Sequence, residues 1–168
     1  MTLIEEPVVD KRPVAAHDRS FLAQVYASTR TSELDRTPWT PQQKQAFLTQ
    51  QFEAQDDHYR THYGDAEWSV LLVDAEPVGR LYLDRRAEEF RIIDIAILPE
   101  HRGRGIGTRV LRAVIDEAEH AGVPVSIHVE AANPAMRLYE RLGFEAVEDR
   151  PPYRFLRRAA DGPGGPVS

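Results

Sequence analysis

The chain has 168 residues, 42% of them hydrophobic, with a formal charge of -6 and no cysteine. That length suits one domain with its own core. The missing thiols exclude disulfides, zinc-thiolate sites and acyl-cysteine chemistry, and the acidic balance argues against general nucleic-acid binding, which leaves a basic footprint. The opening "MTLIEEPVVDKRP" has acidic residues and no apolar leader core, and no apolar run reaches the roughly 18 residues of a membrane span. A cytoplasmic protein without a membrane partner is expected.

Val8 to Val14 is rich enough in valine to read as a first strand, and Asp18 follows as a cap for a helix over Arg19 to Thr29. The two prolines of "RTPWTP" make a loop of Arg36 to Pro41, and Pro41 stands where a first helical residue is welcome. A polar helix is predicted from Gln42 to about Tyr63, with Leu48, Phe52, Tyr59 and Tyr63 at helical spacing. Trp68 to Val73 and Val78 to Leu83 flank "DAEP" as the strands of a hairpin. Phe90 to Leu98, dense in isoleucine, reads as a central strand buried on both faces.

From Gly105 the period changes. Ile106, Val110, Leu111, Val114, Ile115 and Ala118 share a helical stripe that Gly122 ends. Val123 to Val129 is another strand. Asn133 caps a further helix with Pro134 at its first position, turning Ala135, Leu138, Tyr139 and Leu142 inward until Gly143. Phe144 to Val147 and Tyr153 to Leu156 read as a closing antiparallel pair. One domain over 1–157 is expected, followed by a disordered tail over 158–168 in which proline and glycine dominate. The chain has no internal repeat.

Between the central strand and its helix lies "LPEHRGRGIGTRVL", Leu98 to Leu111. Glycine costs a helix about 0.8 to 1 kcal/mol against alanine, so Gly103, Gly105 and Gly107 at a helix start need a reason. A helix N-terminus offers about four backbone amides without intrahelical partners, at the positive end of its dipole. Glycines let an anion reach those amides with no Cβ in the way, while Arg102 and Arg104 add charge-assisted bonds. The implied ligand is a diphosphate. A nucleoside-triphosphatase loop would need a lysine in G-x-x-x-x-G-K-[ST], and a dinucleotide fingerprint a third glycine where Thr108 stands. Neither pattern is met, and a left-handed glycine turn with no ligand is the plain alternative.

Arg102, Gly105 and Gly107 stand as R-x-x-G-x-G, after "IAILPEHR" and about 25 residues ahead of "NPAMRLYERLGF". This succession, from Phe90 to Val147, resembles the GNAT superfamily of acetyl-CoA-dependent N-acyltransferases. The resemblance implies an α/β (α+β) fold: a mixed, mostly antiparallel central sheet flanked by helices, with a parallel pair of central strands. It implies that the backbone of Arg102, Gly103, Arg104, Gly105, Ile106, Gly107 and Thr108 wraps the pyrophosphate of coenzyme A. The pantetheine arm would then pair with Ala96, Ile97 and Leu98 as an added strand. Asn133 would double as helix cap and contact to that arm. Tyr139 would protonate the departing thiolate; its plain reading is a core tyrosine.

Acyl transfer to nitrogen needs a neutral amine, and lysine-like amines titrate at about 10.4 and α-amines at about 7.7 to 8.0. A base is therefore wanted, together with an acid for the thiolate and a donor for the oxyanion. Without cysteine, direct attack in a ternary complex is expected, with acetyl-CoA as co-substrate. His128 is a candidate base, with an ordinary pKa of about 6.5, on the strand where related N-terminal amine acetyltransferases use a glutamate. Glu130 shares its strand face, so either can orient the other. Asp94 interrupts an apolar run and is expensive to bury unpaired. It is a base, or an acid paired with Arg91 or a backbone amide, and Arg91 itself stands where histone-type members carry a glutamate. A water chain, or no protein base, stays open.

In this family the first two helices and their link cover the acceptor, here Thr31 to Thr40 with Trp39. Phe52, Tyr59 and Tyr63 either line that pocket or pack on the sheet. Asp56, Asp57 and Asp65 suit a cationic amine or a solvated helix end. The expected acceptor is a primary amine of a small molecule or peptide; oligomeric state stays open, a homodimer included. His58 and His62 lack the glutamate of H-E-x-x-H, and His128-x-Glu130 lacks the cysteines of zinc deaminases, so no metal is expected. The alternatives are a non-catalytic acyl-CoA sensor and a nucleotide-binding regulator.

Overall fold

The computed structural model describes residues 7–160. Seven strands form one sheet: β1 (Val9–Pro13), β2 (Glu67–Val73), β3 (Glu76–Arg85), β4 (Phe90–Ile97), β5 (Val125–Glu130), β6 (Glu145–Arg150) and β7 (Tyr153–Arg158), in the order β1-β2-β3-β4-β5-β7-β6. Neighbours are antiparallel except β4 and β5, which run parallel. Parallel neighbours need a crossover, and the helix between them supplies it. The helices are α1 (Arg19–Ser28), α2 (Thr31–Asp35), α3 (Pro41–His62), α4 (Ile106–Ala121) and α5 (Met136–Arg141).

The stripe on α4, from Ile106 to Ala118, packs against Leu71, Leu81, Leu83, Ile92, Val125 and Ile127 on one face of the sheet. Each large aliphatic side chain buried there contributes about 1.5 to 3 kcal/mol. Gly122, at φ 73°, ends α4 in the left-handed conformation. The other face takes α1 and α3, whose Leu22, Tyr26 and Phe52 make a smaller cluster. Thr40 starts α3 with a reciprocal pair: its hydroxyl accepts from the Gln43 amide at 3.2 Å while the Gln43 side chain accepts from the Thr40 amide at 2.9 Å.

Four expectations change in detail. Asp18 precedes α1, yet its side chain does not cap that helix. Its two oxygens accept from Arg12, each at 2.8 Å, and one also accepts from the Ala15 amide at 2.7 Å, clamping β1 to the turn before α1. The hydrogen bond from Arg12 is the main reason its pKa falls to about 2. The β2–β3 hairpin turns on Asp74 and Ala75 alone, at φ 51° and 66°, the backbone of a tight two-residue connection. Strand β7 includes Arg158, whose Nε donates to the Leu142 carbonyl at 2.6 Å, so the chain is ordered past the expected start of the tail. The rest of that tail, 161–168, lies outside the described residues.

The fourth change concerns β4, which is not buried on both faces: from Ile93 to Ile97 every residue is half-buried. Two features cause this. Tyr82 pairs with Asp94 and Leu83 with Ile92, leaving Ile93 as an extra residue in a bulge. On its other side β4 pairs with β5 only from Phe90 to Ile92, against Val125 to Ile127, after which the strands part. Gly79 of β3 lies so close to this strand that a Cβ there would collide with the Ala96 carbonyl. Among the described residues no helix is long and apolar enough to cross a membrane.

Candidate active site

The parting of β4 and β5 leaves a strand edge without a neighbour. The Leu98 amide donates to the Val78 carbonyl at 2.9 Å, tying the end of β4 to β3. Backbone groups alternate in direction along a strand, so those of Ile97 point the other way, into the gap. There the Arg102 Nε donates to the Ile97 carbonyl at 3.0 Å. An edge of this kind accepts an extended polar chain as an added strand; of the expected residues Ala96, Ile97 and Leu98, it is Ile97 that turns its backbone to the gap, while the Ala96 carbonyl and the Leu98 amide face β3.

The same strand runs through a short turn, Pro99–His101, into the glycine loop. Gly103 and Gly105 sit at φ 77° and 79°, and nothing lies within 4 Å of a Cβ built on either. Their left-handed backbone, and no steric crowding, calls for glycine. Gly107 differs: it lies inside α4, where a Cβ would meet only Leu138 Cδ2 at an ordinary 3.8 Å. The fold itself does not need that glycine. No side chain caps α4. Among the described residues the amides of Gly103, Arg104, Gly105, Ile106, Gly107 and Thr108 have no backbone acceptor; the next, that of Arg109, bonds to the Gly105 carbonyl at 3.0 Å. This is the donor set an anion at a helix N-terminus requires. Arg104 Nη1 lies 3.3 Å from His101 Nδ1 at the edge of the loop.

Tyr139 comes from α5. It is 3% exposed, edge-on to Phe144 at 5.7 Å between ring centroids. Burial first, and the charge of Asp94 second, push its phenol well above the ordinary range. A phenol in this state keeps its proton at neutral pH, as a general acid must before the transfer. Asn133 does not cap α5 as expected, and Pro134 is not its first residue: the helix begins at Met136 with Ala135 at the cap position, and Asn133 shapes the turn before it, its Oδ1 accepting from the Ala135 amide at 2.8 Å and its carbonyl from the Met136 amide at 3.1 Å.

The three candidate bases lie on the sheet face that α1 and α3 cover, and arginines hold two of them. Asp94 pairs with Arg80 of β3, and Arg91 does not reach it. The bulge at Ile93 is the reason, because one added residue turns Asp94 toward β3's inward cation. Arg91 instead bonds to Ser126 Oγ at 2.7 Å and Glu89 at 2.9 Å, and its guanidinium lies 5.0 Å from the Phe155 ring centroid. Glu130 accepts from Arg30 at 3.0 Å. His128 shares the face of Glu130 but has other partners: its ring lies against Phe155, 4.6 Å between centroids, and its Nδ1 is 3.5 Å from Arg91 Nη1. Burial, then the charge of Arg91, lower its pKa below the ordinary value, so the imidazole is neutral and able to take a proton at physiological pH.

The aromatic candidates for the acceptor do not converge. Trp39 packs at a tilt against Phe47 in the first half of α3, at 5.1 Å between centroids. Tyr59 and Tyr63 join Trp68 and Tyr82 at its far end. Twelve residues of α3 lead from Phe47 to Tyr59, about 18 Å along the helix, too far for one small pocket. Asp56 is buried against Arg60 at 2.8 Å and Arg19 at 3.5 Å, while Asp57 and Asp65 are exposed. His58 and His62 stack ring on ring at 4.2 Å. Two arginines outside the sequence-based site, Arg80 and Arg30, organise it. Arg80 had a signal, a lone cation in the apolar run of β3 that matches the lone acid of β4.

Comparison with known proteins agrees with this geometry. The chain is 33% identical over 105 residues to a mycothiol acetyltransferase of Nocardiopsis dassonvillei, a match covering 61% of this chain and 32% of that protein. It is 36% identical over 84 residues to the [ribosomal protein bS18]-alanine N-acetyltransferase of Haemophilus influenzae, covering 49% of this chain and 58% of that one. The chain thus spans less than two thirds of either relative. The fold is that of the PaiA N-acetyltransferase from Thermoplasma acidophilum, solved in complex with coenzyme A: TM-score 0.68 at 14% identity, covering 90% of this chain and 99% of that one. The model of the acetyltransferase (GNAT) family matches residues 28–144. With the glycine turn, the parted strands and this match together, the chain belongs to the acetyltransferase (GNAT) family.

Proposed function

We propose that this protein transfers the acetyl group of acetyl-CoA to a primary amine of a small molecule or peptide, by direct attack within a ternary complex. One observation carries the reading: the unpaired edge of β4 leads directly into a turn whose amides lack acceptors, with a protonated buried phenol under the influence of Asp94. The turn from Arg102 to Thr108 takes the pyrophosphate, and the edge at Ala96, Ile97 and Leu98 takes the pantetheine arm. An amide of that edge serves the developing oxyanion. The amine nitrogen forms its bond to the acetyl carbon, the carbon–sulfur bond breaks, and Tyr139 gives its proton to the sulfur. His128 removes the proton from nitrogen, because Asp94 and Glu130 are both engaged by arginines.

The test is release of coenzyme A thiol on mixing the protein with acetyl-CoA and polyamines, aminoglycosides, amino acids or peptide N-termini. Thiol release with at least one amine class is expected. Release with none of them, or acetyl retained covalently after incubation with acetyl-CoA alone, rejects the reading.

A further inference from the structure

We propose that Arg80 is a positioning residue that pins Asp94 as a fixed negative charge beside the gap where β4 and β5 part, so that Asp94 anchors the acceptor's ammonium group instead of removing its proton. This rests on the acetyltransferase reading of the same site. Arg80 is 2% exposed, and the Asp94 side chain 16%. Arginine is almost never fully buried unless paired, and a buried ion pair is no better for stability than a well-packed apolar pair. Its presence inside the buried stretch of β3 from Val78 to Leu83 therefore needs a reason other than holding the fold together.

The geometry supplies one. Arg80 Nη2 donates to Asp94 Oδ2 and also to Gln55 Oε1 of α3, at 2.9 Å, while the guanidinium lies 5.1 Å from the centroid of the Tyr82 ring. Three elements thus fix the cation, and the cation fixes one oxygen of the carboxylate. The groups facing Asp94 are Arg80 and Tyr82 of β3, Tyr59 of α3 and Tyr139 of α5, with Arg91 of β4 and His128 and Glu130 of β5 on the same sheet face. The three phenols are all held protonated, chiefly by burial. Arg80 is the only cation within ion-pair distance of Asp94 among the described residues. A carboxylate oxygen that already accepts a charge-assisted bond is a poor proton acceptor, while the second oxygen remains a good partner for an ammonium.

The test compares steady-state kinetics, using acetyl-CoA and the primary amine turned over fastest in the amine screen. Asp94→Asn is expected to raise the KM for amine about tenfold or more, with kcat within about threefold and the acidic limb of the pH profile unmoved. Arg80→Lys, which keeps the cation, recovers an intermediate KM. Arg80→Gln alone leaves Asp94 buried without a cation and is at risk of misfolding. The double variant Arg80→Met/Asp94→Asn removes both charges and is expected to match Asp94→Asn alone. A collapse of kcat at unchanged KM in Asp94→Asn, with loss of the acidic limb, makes Asp94 the base and overturns the proposal. If no amine is turned over, the transfer reading fails by itself, and a crystal structure of Arg80→Lys, or of Arg80→Gln if it folds, still decides the positioning role: the Asp94 carboxylate should leave the place it holds against Arg80, and an unmoved carboxylate refutes it.

Discussion

Arg30 and Glu130 are 100 residues apart in the chain and bonded across 3.0 Å, joining the link between α1 and α2 to the end of β5. Arg30 also bonds to Glu33 at 3.0 Å and lies over the Tyr26 ring. One guanidinium thus moors the helical segment expected to cover the acceptor to the strand that carries His128. Arg30→Ala should cost about 1 kcal/mol or less, since both partners are partly solvated, which is about 2 to 4 °C in melting temperature. The KM for amine should rise while the affinity for acetyl-CoA stays put. Calorimetry with two-substrate kinetics checks both parts.

Tyr139→Phe removes one oxygen and keeps the edge-on packing against Phe144. Turnover should fall by about 10²- to 10⁴-fold, the usual weight of a positioned general acid, with the acetyl-CoA Kd within about threefold. Rapid-quench kinetics alongside calorimetric titration separates the two quantities, and equal turnover in the variant removes Tyr139 from the chemistry.

The glycine loop allows a fold requirement to be separated from a ligand requirement. Gly105→Ala forces a side chain onto a left-handed backbone, a strain of about 1 to 2 kcal/mol, and should lower the melting temperature. Gly107→Ala has room beside Leu138 and gains helix propensity of about 0.8 to 1 kcal/mol, so the apoprotein should melt no lower than wild type. Its coenzyme A affinity should nevertheless drop about tenfold or more, because the added methyl stands among the first-turn amides. Thermal shift and titration calorimetry on the pair measure this.

The acidic limb of the rate profile should fall below the ordinary histidine value of about 6.5, since burial and Arg91 favour the neutral imidazole of His128. His128→Ala should flatten that limb. Arg91→Gln removes the larger of the two charges, Arg91 and Arg150, that join burial in lowering it, and should move the limb to higher pH. The lowered folded pKa also makes the native protein lose stability as pH falls below the unfolded value and through the folded one. Urea melts from pH 7 down to 5 should show that slope, absent in His128→Ala.

Elements whose signal is local were legible. The α4 stripe from Ile106 to Ala118, closed by Gly122, needs only helical spacing and a terminator, and it stands as read. Pro41 as the first residue of α3 is likewise written locally, although the Thr40–Gln43 pair that closes this helix start was not read from the sequence. Features created by pairing were not. The extra residue at Ile93 exists only because β3 and β4 are aligned as they are, so the partner of Asp94 was sought on its own strand, at Arg91, and found on the next, at Arg80. The isoleucines of β4 imply two covered faces, but coverage depends on how far β5 follows, which no local composition encodes. Asp18 stands where a cap belongs and is drawn off by Arg12, six residues earlier. The grouping of Trp39 with Tyr63 overlooked the length of the helix between them.

Only three rungs, Phe90 to Ile92 against Val125 to Ile127, stitch the first four strands to the last three. The molecule is in effect two panels joined by a short hinge, with α4 as the brace behind it. Any guest that bonds along the open margin of β4 lengthens that seam and makes the panels breathe as one. Amides of β5 and β7 should therefore exchange with deuterium more slowly once coenzyme A is added, even at positions remote from the guest.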